Sequence, residues 1–434
     1  MKNELVLFAL LSFSSSVFAE NWAQWRGPFH NGSTTETNLP TKWSQTENIA
    51  WVADLPGASA ATPIVWEENV FVSSGDKEND QLFAICIDRK SGQERWRHKI
   101  ADGLRRDSRS TYAAPSPATD GKTVVFFYGN GKLIAYDFDG NEKWKRDIQE
   151  DYGEFAFQWT FSTSPIIHNS SLYLQVLQRD TAVRGRGFAD KENESYILSL
   201  NPETGDTKWQ HKRPCEAVAE SREAFTTPII STLNGREQLV IAGGDDLTGH
   251  DLNDGSELWR WGTWNPTRIA HWRLVPSPVV GDDIVLACAP KRDPIYAIRA
   301  GEGRLNDDHI AWVSRDIREV SSDVPTPAFY DGDFFVLSDV RKSISRVEPK
   351  SGEVKWTVRT PGSAKFEASP LAADGKIYVM NFVGDVVIFD ASNGEIINNI
   401  SMDEPADDAV RSSIIASQGQ LFIRTNGKLF CVGK

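Results

Sequence analysis

The chain has 434 residues, of which 25% are charged and 11% aromatic, and its formal net charge is −13 at pH 7. So large an excess of acid argues against a nucleic-acid partner, because phosphate binding rests on clustered Lys and Arg. After the first 19 residues no stretch approaches the roughly 20 apolar residues a spanning helix needs, so no transmembrane segment is expected.

Residues 1–19 read as a signal peptide. Lys2, the apolar stretch from Leu5 to Leu11 and Val17-Phe18-Ala19 ahead of Glu20 fit cleavage after Ala19. No Cys follows the cleavage site to take a lipid, so the expected product is a periplasmic or secreted monomer without a lipid anchor. Residues 20–48 form an N-terminal strap containing Asn21-Trp22-Ala23-Gln24-Trp25-Arg26-Gly27-Pro28. Its two Trp suit packing under a larger body; alternatively, Arg26 reaches a ligand or a channel mouth.

From residue 49 the chain is periodic. Ser-Pro or Thr-Pro opens a short apolar run at Thr62, Ser116, Ser164, Thr227, Ser277, Thr326 and Ser369, and Ser412-Ser413 opens an eighth. Most units add a polar turn with Gly and a Trp four residues on, as in Gly92/Trp96, Gly140/Trp144, Gly205/Trp209, Gly255/Trp259 and Gly352/Trp356. Repeats of this length, built of short strands and Gly turns, predict an all-β fold: an eight-bladed β-propeller of four-stranded antiparallel blades over 49–434. The last unit stops after a third strand, Gly427 to Val432, and Ile49-Ala50-Trp51-Val52 is the strand expected to complete it and close the ring. Trp51, Trp96, Trp144, Trp209, Trp259, Trp312 and Trp356 then act as wedges between blades. Unit seven has Ile396-Ile397 instead. The Ser/Thr hydroxyls are expected to satisfy backbone groups near the axis. Cys86 and Cys431 fall where other units have Ala or Ser, as small core residues, whereas Cys215 and Cys288 are open.

In a propeller the turns leading into the inner strands surround one mouth of the central channel. Five before each Pro position, which Ser413 takes in the eighth unit, stand Ala58, Tyr112, Thr160, Glu223, Arg273, Ser322, Lys365 and Asp408. This column and its neighbours give the candidate ligand-binding set Arg109, Tyr112, Trp159, Arg222, Glu223, His271, Arg273, Asp323, Lys365, Glu367 and Arg411. Two basic insertions, Arg105-Arg106-Asp107-Ser108-Arg109 and Gln178 to Ser195, suit an anionic ligand or an acidic partner. The seven His form no HExxH and no close pair, so no metal site is predicted. Without a Gly-x-Ser-x-Gly elbow or a P-loop, no catalytic residue is assigned either.

Units such as Cys86-Ile87-Asp88-Arg89-Lys90-Ser91-Gly92-Gln93-Glu94-Arg95-Trp96 resemble the tryptophan-docking motif of quinoprotein propellers. Residues 49–434 are accordingly similar to the PQQ-like β-propeller repeat superfamily, and the opening of the strap resembles that of exported PQQ-like repeat proteins of unassigned function. Likeness to the BamB-like branch implies a non-catalytic binding or scaffold module, with a protein partner or small ligand at the channel mouth and no cofactor. Likeness to quinoprotein dehydrogenases implies pyrroloquinoline quinone (PQQ) with calcium and oxidation of an alcohol or sugar. Many alcohol dehydrogenases of that group carry an adjacent Cys pair, which this sequence lacks, and Glu223, Asp323 and Glu367 are the carboxylates among which a base would be sought. The non-catalytic module is the reading carried forward.

Overall fold

The computed structural model describes residues 20–105, 107–402 and 409–433; the expected signal peptide, Arg106 and Asp408 lie outside them. Eight sheets follow in chain order round a ring, each with four antiparallel strands called A to D here from the axis outward; the fourth sheet also carries the short strand Gly303–Arg304, parallel to its D strand. Blades 1 to 8 span 64–102, 118–147, 166–212, 229–261, 279–313, 328–359, 371–401 and 415–432. A strands of neighbouring blades, such as Ala328–Tyr330 and Leu371–Ala373, touch side by side round the axis, and inner strands such as Ile284–Cys288 are buried on both sides by adjacent blades. The D strands face solvent on one side, and Val354–Arg359 shows the resulting alternation. Blade 8 takes its D strand from the N-terminus: Ile49–Asp54 pairs antiparallel with Lys428–Val432, with Trp51 opposite Cys431.

The Trp column works between blades. Most docking Trp lie across the ladder from a small or short side chain, as Trp96 from Cys86, Trp144 from Ala135, Trp209 from Ser199 and Trp312 from Ala297, whereas Trp356 faces Arg346. The indole then covers the turn Gly of the next blade and donates its N–H to a carbonyl of that turn. Trp96 reaches Phe138 O at 3.0 Å, Trp144 reaches Pro202 O at 2.9 Å and Trp312 reaches Pro349 O at 2.6 Å. The bulk therefore fills a shaped gap while its one polar atom is satisfied. Cys86, Cys288 and Cys431 are buried, Cys215 is half-buried, and all four are free thiols.

Two junctions depart from this scheme. Trp259 stays within its own blade and donates to Gln238 Oε1 at 2.6 Å, because blade 5 replaces the Gly turn with the longer connection 300–309. In blade 7 the position in register with the Trp column is Asn398, opposite Ile388, which corrects the assignment to Ile396-Ile397. Blade 8 has no C–D turn to receive an indole, since its D strand arrives from the other end of the chain. The strap comes in at this junction, with Asn398 Nδ2 donating to Thr41 O at 2.8 Å and the buried Trp43 indole to Met402 Sδ at 3.4 Å.

At the axis the Ser/Thr column forms a relay in which a backbone N–H of each blade donates to the hydroxyl of the next. It runs from Thr62 N to Ser116 Oγ at 2.9 Å, through Ser164, Thr227, Ser277, Thr326 and Ser369, to Ser413 Oγ at 3.1 Å. At the seam between blades 8 and 1 the hydroxyl of Thr62 is buried and has no partner. The fully buried Arg424 joins the blades there, donating to Ser73 O at 2.5 Å and Gly57 O at 3.2 Å.

The strap lies across the face that carries the A–B turns. Trp22 pairs with Val65, Gln24 accepts from Ile167 N at 2.8 Å, and Phe329 N donates to Asn31 O at 3.0 Å. Arg26 is buried beneath the ring, donating to Pro327 O at 2.7 Å and Pro370 O at 3.0 Å. It therefore ties blades 6 and 7 together from below and does not reach the opposite mouth. No helix among the described residues is long and apolar enough to cross a membrane.

Candidate functional site

Because the four strands of a blade alternate in direction, the D–A loops and the B–C turns share the face opposite the strap. On this upper face a cavity of about 410 Å³ leads down the channel. Six axial hydroxyls, of Ser116, Ser164, Thr227, Thr326, Ser369 and Ser413, line its floor with Trp25, which rises from the strap and stops the channel from below.

Seven residues of the sequence-derived set line this cavity: Arg109, Trp159, Arg273, Asp323, Lys365, Glu367 and Arg411. The other four lie elsewhere. Tyr112 is buried and its hydroxyl accepts from Arg186 at 2.7 Å. Arg222 turns to Asp180 at 3.2 Å, and His271 is exposed away from the cavity. Glu223 is wholly buried beneath the surface, held by the Arg179 guanidinium and by Gln158 N at 3.1 Å. Burial pushes its carboxyl up to about 7 against the opposing pull of Arg179. The polar column thus marks loop positions but not the direction of each side chain, and Tyr112, Glu223 and Ser322 are inside the protein.

Trp159 organises one wall. Its indole N–H donates to Glu220 Oε1 at 2.9 Å, which also pairs with Arg273 at 3.1 Å. Three guanidinium carbons surround the ring, those of Arg184, Arg109 and Arg273 at 5.3, 5.6 and 5.8 Å from its centroid. Arg184 comes from the insertion between strands B and C of blade 3, and Arg109 from the loop between blades 1 and 2. The latter loop is pinned where Asp107 accepts from Thr160 N at 2.7 Å.

Lys291, Lys365 and Arg411 extend the cationic lining round the rim. Lys291 and Arg292 both have positive φ, 63° and 74°, in the B–C turn of blade 5, a costly conformation for two side-chain-bearing residues in sequence. The two acids of the cavity are engaged: Asp323 accepts from Lys291 N at 2.7 Å, and Glu367 pairs with Arg411 at 3.0 Å and Lys365 at 3.6 Å. Sequence reasoning missed Lys291 and Trp25. The Pro290-Lys291-Arg292-Asp293-Pro294 run was the available sign of an upper-face turn, whereas only the fold could show that Trp25 enters the channel.

A calcium-bound quinone would need carboxylate or carbonyl oxygens converging on a cation beside a flat slot. Among the described residues no group of three or more His, Cys, Asp or Glu could hold a metal ion, and the wall beside Trp159 is crowded by guanidinium groups. The cations suit carboxylates, but the donor set does not fit the calcium.

Eight blades with Trp-to-Gly docking and a ring closed by the N-terminal strand define a PQQ-like β-propeller. The family described as "Outer membrane protein assembly factor BamB" matches residues 33–176, 86–326 and 318–434, and the chain belongs to it. The chain is similar to the outer membrane protein assembly factor BamB of Burkholderia pseudomallei (strain K96243), 22% identical over 367 residues, covering 78% of this chain and 87% of the relative. Among solved structures it resembles BamB from Moraxella catarrhalis (TM-score 0.60, 15% identity, 89% of this chain and 99% of the other). It also resembles a europium-containing methanol dehydrogenase (TM-score 0.67, 10% identity, 94% and 90%). At these identities the structural likenesses speak for the fold alone.

Proposed function

We propose that the chain is an exported, non-catalytic binding propeller that holds a partner protein against its upper face, in the manner suggested by the assembly role in its relatives' names. The observation that carries this reading is the commitment of the three carboxylates a dehydrogenase could draw on. Glu223 is sealed against Arg179, Asp323 is bound to a backbone N–H, and Glu367 is paired with two cations. A base must reach a substrate hydroxyl, and none of the three is disposed to do so. The insertion Gln178 to Ser195 adds a raised rim that a partner can grip. The N-terminal sequence supports export.

Thermal melting of the purified chain with and without PQQ and calcium tests the reading. A ligand at about 100 times its dissociation constant adds nearly 3 kcal/mol of stability. No rise that depends on both components is expected. A rise that needs quinone and calcium together would establish the dehydrogenase alternative instead.

A further inference from the structure

We propose that the upper cavity is a binding site for a small polyanion, one with two or more carboxylate or phosphate groups and an acceptor oxygen to set against the axial hydroxyls. The inference goes beyond the scaffold reading and does not depend on it.

The first observation is charge against background. The chain as a whole is strongly acidic, yet five cations, Arg109, Arg273, Lys291, Lys365 and Arg411, line the cavity against Asp323 and Glu367, with Glu220 behind the wall on Arg273. Like charges brought together in a concave, partly dry space repel, and a channel focuses their field on whatever enters it. The Lys291 ammonium feels the balance: its pKa is lowered, first by burial and then by Arg273, against the opposing pull of Asp323 and Glu220, with Arg109 adding to the lowering. An anion would relieve that repulsion.

The second observation is the backbone that places Lys291. Two consecutive residues with side chains sit at positive φ, at a turn where Gly or Asn would be relaxed. Asp282-Asp283 and Asn169-Ser170 show the same pair of positive φ values, so the pair is that of a tight hairpin turn, and its consequence here is where it places Lys291. Here the Asp323 carboxylate grips Lys291 N and holds the turn over the cavity.

The third observation is the floor. Each of its six hydroxyl oxygens already accepts an N–H from the neighbouring blade. Among the described residues none of them donates its own proton to the protein. An O–H whose oxygen is already an acceptor is a strengthened donor, so the floor presents protons to the acceptor oxygens of a ligand. Cationic walls and a proton-donating floor enclose about 410 Å³, a volume of the order that small-molecule sites use.

Isothermal titration of the full exported chain with citrate, inorganic pyrophosphate, acetate and glucose is the test, at low and at physiological salt. Citrate and pyrophosphate separate a carboxylate from a phosphate ligand. At least one is expected to bind one to one, about tenfold or more tighter than acetate and glucose, and to weaken as salt rises. Lys291→Asn keeps the turn, because Asn tolerates positive φ, and Arg109→Gln removes a guanidinium from Trp159. Each should weaken binding by about tenfold or more while the unliganded protein does not melt markedly lower than the parent. The proposal is overturned if neither polyanion exceeds acetate, or if both variants bind like the parent. Binding of PQQ without calcium would count as binding of a tricarboxylate at this site. Binding that requires calcium would instead overturn the scaffold reading.

Discussion

The indole of Trp51, on the first strand of the ring, covers Gly92 of blade 1 and donates its N–H to Arg89 O at 2.6 Å. A Cβ on Gly92 would lie 2.6 Å from the indole, at a residue whose φ is +72°. Gly92→Ala therefore meets a clash and a strained backbone together, and should cost about 3 kcal/mol. Gly235 has nearly the same φ, +75°, with nothing within 4 Å, so Gly235→Ala should cost only about 1 kcal/mol. Urea denaturation of the two variants separates docking from conformation, and equal losses would show that the indole does not matter.

The broken relay at the axis gives a second pair. Thr62 and Thr326 are both buried, but only the hydroxyl of Thr326 accepts an N–H, from Ser277 at 3.0 Å. Thr326→Val strands that amide and should cost about 1 to 3 kcal/mol. Thr62→Val removes a hydroxyl that already has no partner, and should be neutral or stabilising. Similar melting temperatures for the two variants would contradict the seam.

The ring was legible because five of the eight blades repeat the same Gly-to-Trp interval, and because a strand with a Trp at residue 51 matches a last unit one strand short. The register of blade 7 was less legible: Ile396-Ile397 looks like the apolar substitute, whereas counting from Gly394 leads to Asn398, which turns to the strap. The site was half legible for a related reason. Loop positions follow from the period, but whether Glu223 or Arg273 faces the channel depends on partners such as Arg179, 44 residues away in the chain. Trp25 lies outside the repeat altogether, so no periodicity could place it in the cavity.

Glu223 should leave a mark on the pH dependence of stability. Its carboxyl is raised to about 7 in the folded chain from an ordinary value of 4.5. The folded state thus keeps a proton that the unfolded state has lost. The group's contribution is full below about pH 4.5 and declines as pH rises through 7. His30 and His250, lowered by burial to about 4 and about 3, act in the opposite sense and lose their contribution as pH falls below 6.5. The difference between the parent and Glu223→Gln isolates the carboxylate. Relative to the parent, the variant should gain about 2 to 3 kcal/mol between pH 4 and 8. A difference that stays flat across this range would mean that Glu223 titrates normally.

Arg26 supports the last prediction, on the strap. Its guanidinium is wholly buried, bridges the Pro327 and Pro370 carbonyls of blades 6 and 7, and is lowered by burial to about 9. A planar fork can serve both carbonyls at once, whereas an ammonium is a point donor that loses its charge readily in such a place. Arg26→Met should strand both acceptors and cost about 2 to 4 kcal/mol, and Arg26→Lys should recover less than half of that. The loss should appear as earlier protease cleavage within residues 20–48 as well as a lower melting temperature, since the strap is the element released. If Arg26→Lys matched the parent in both measurements, charge alone would hold the strap and the bridging geometry would have no part in it.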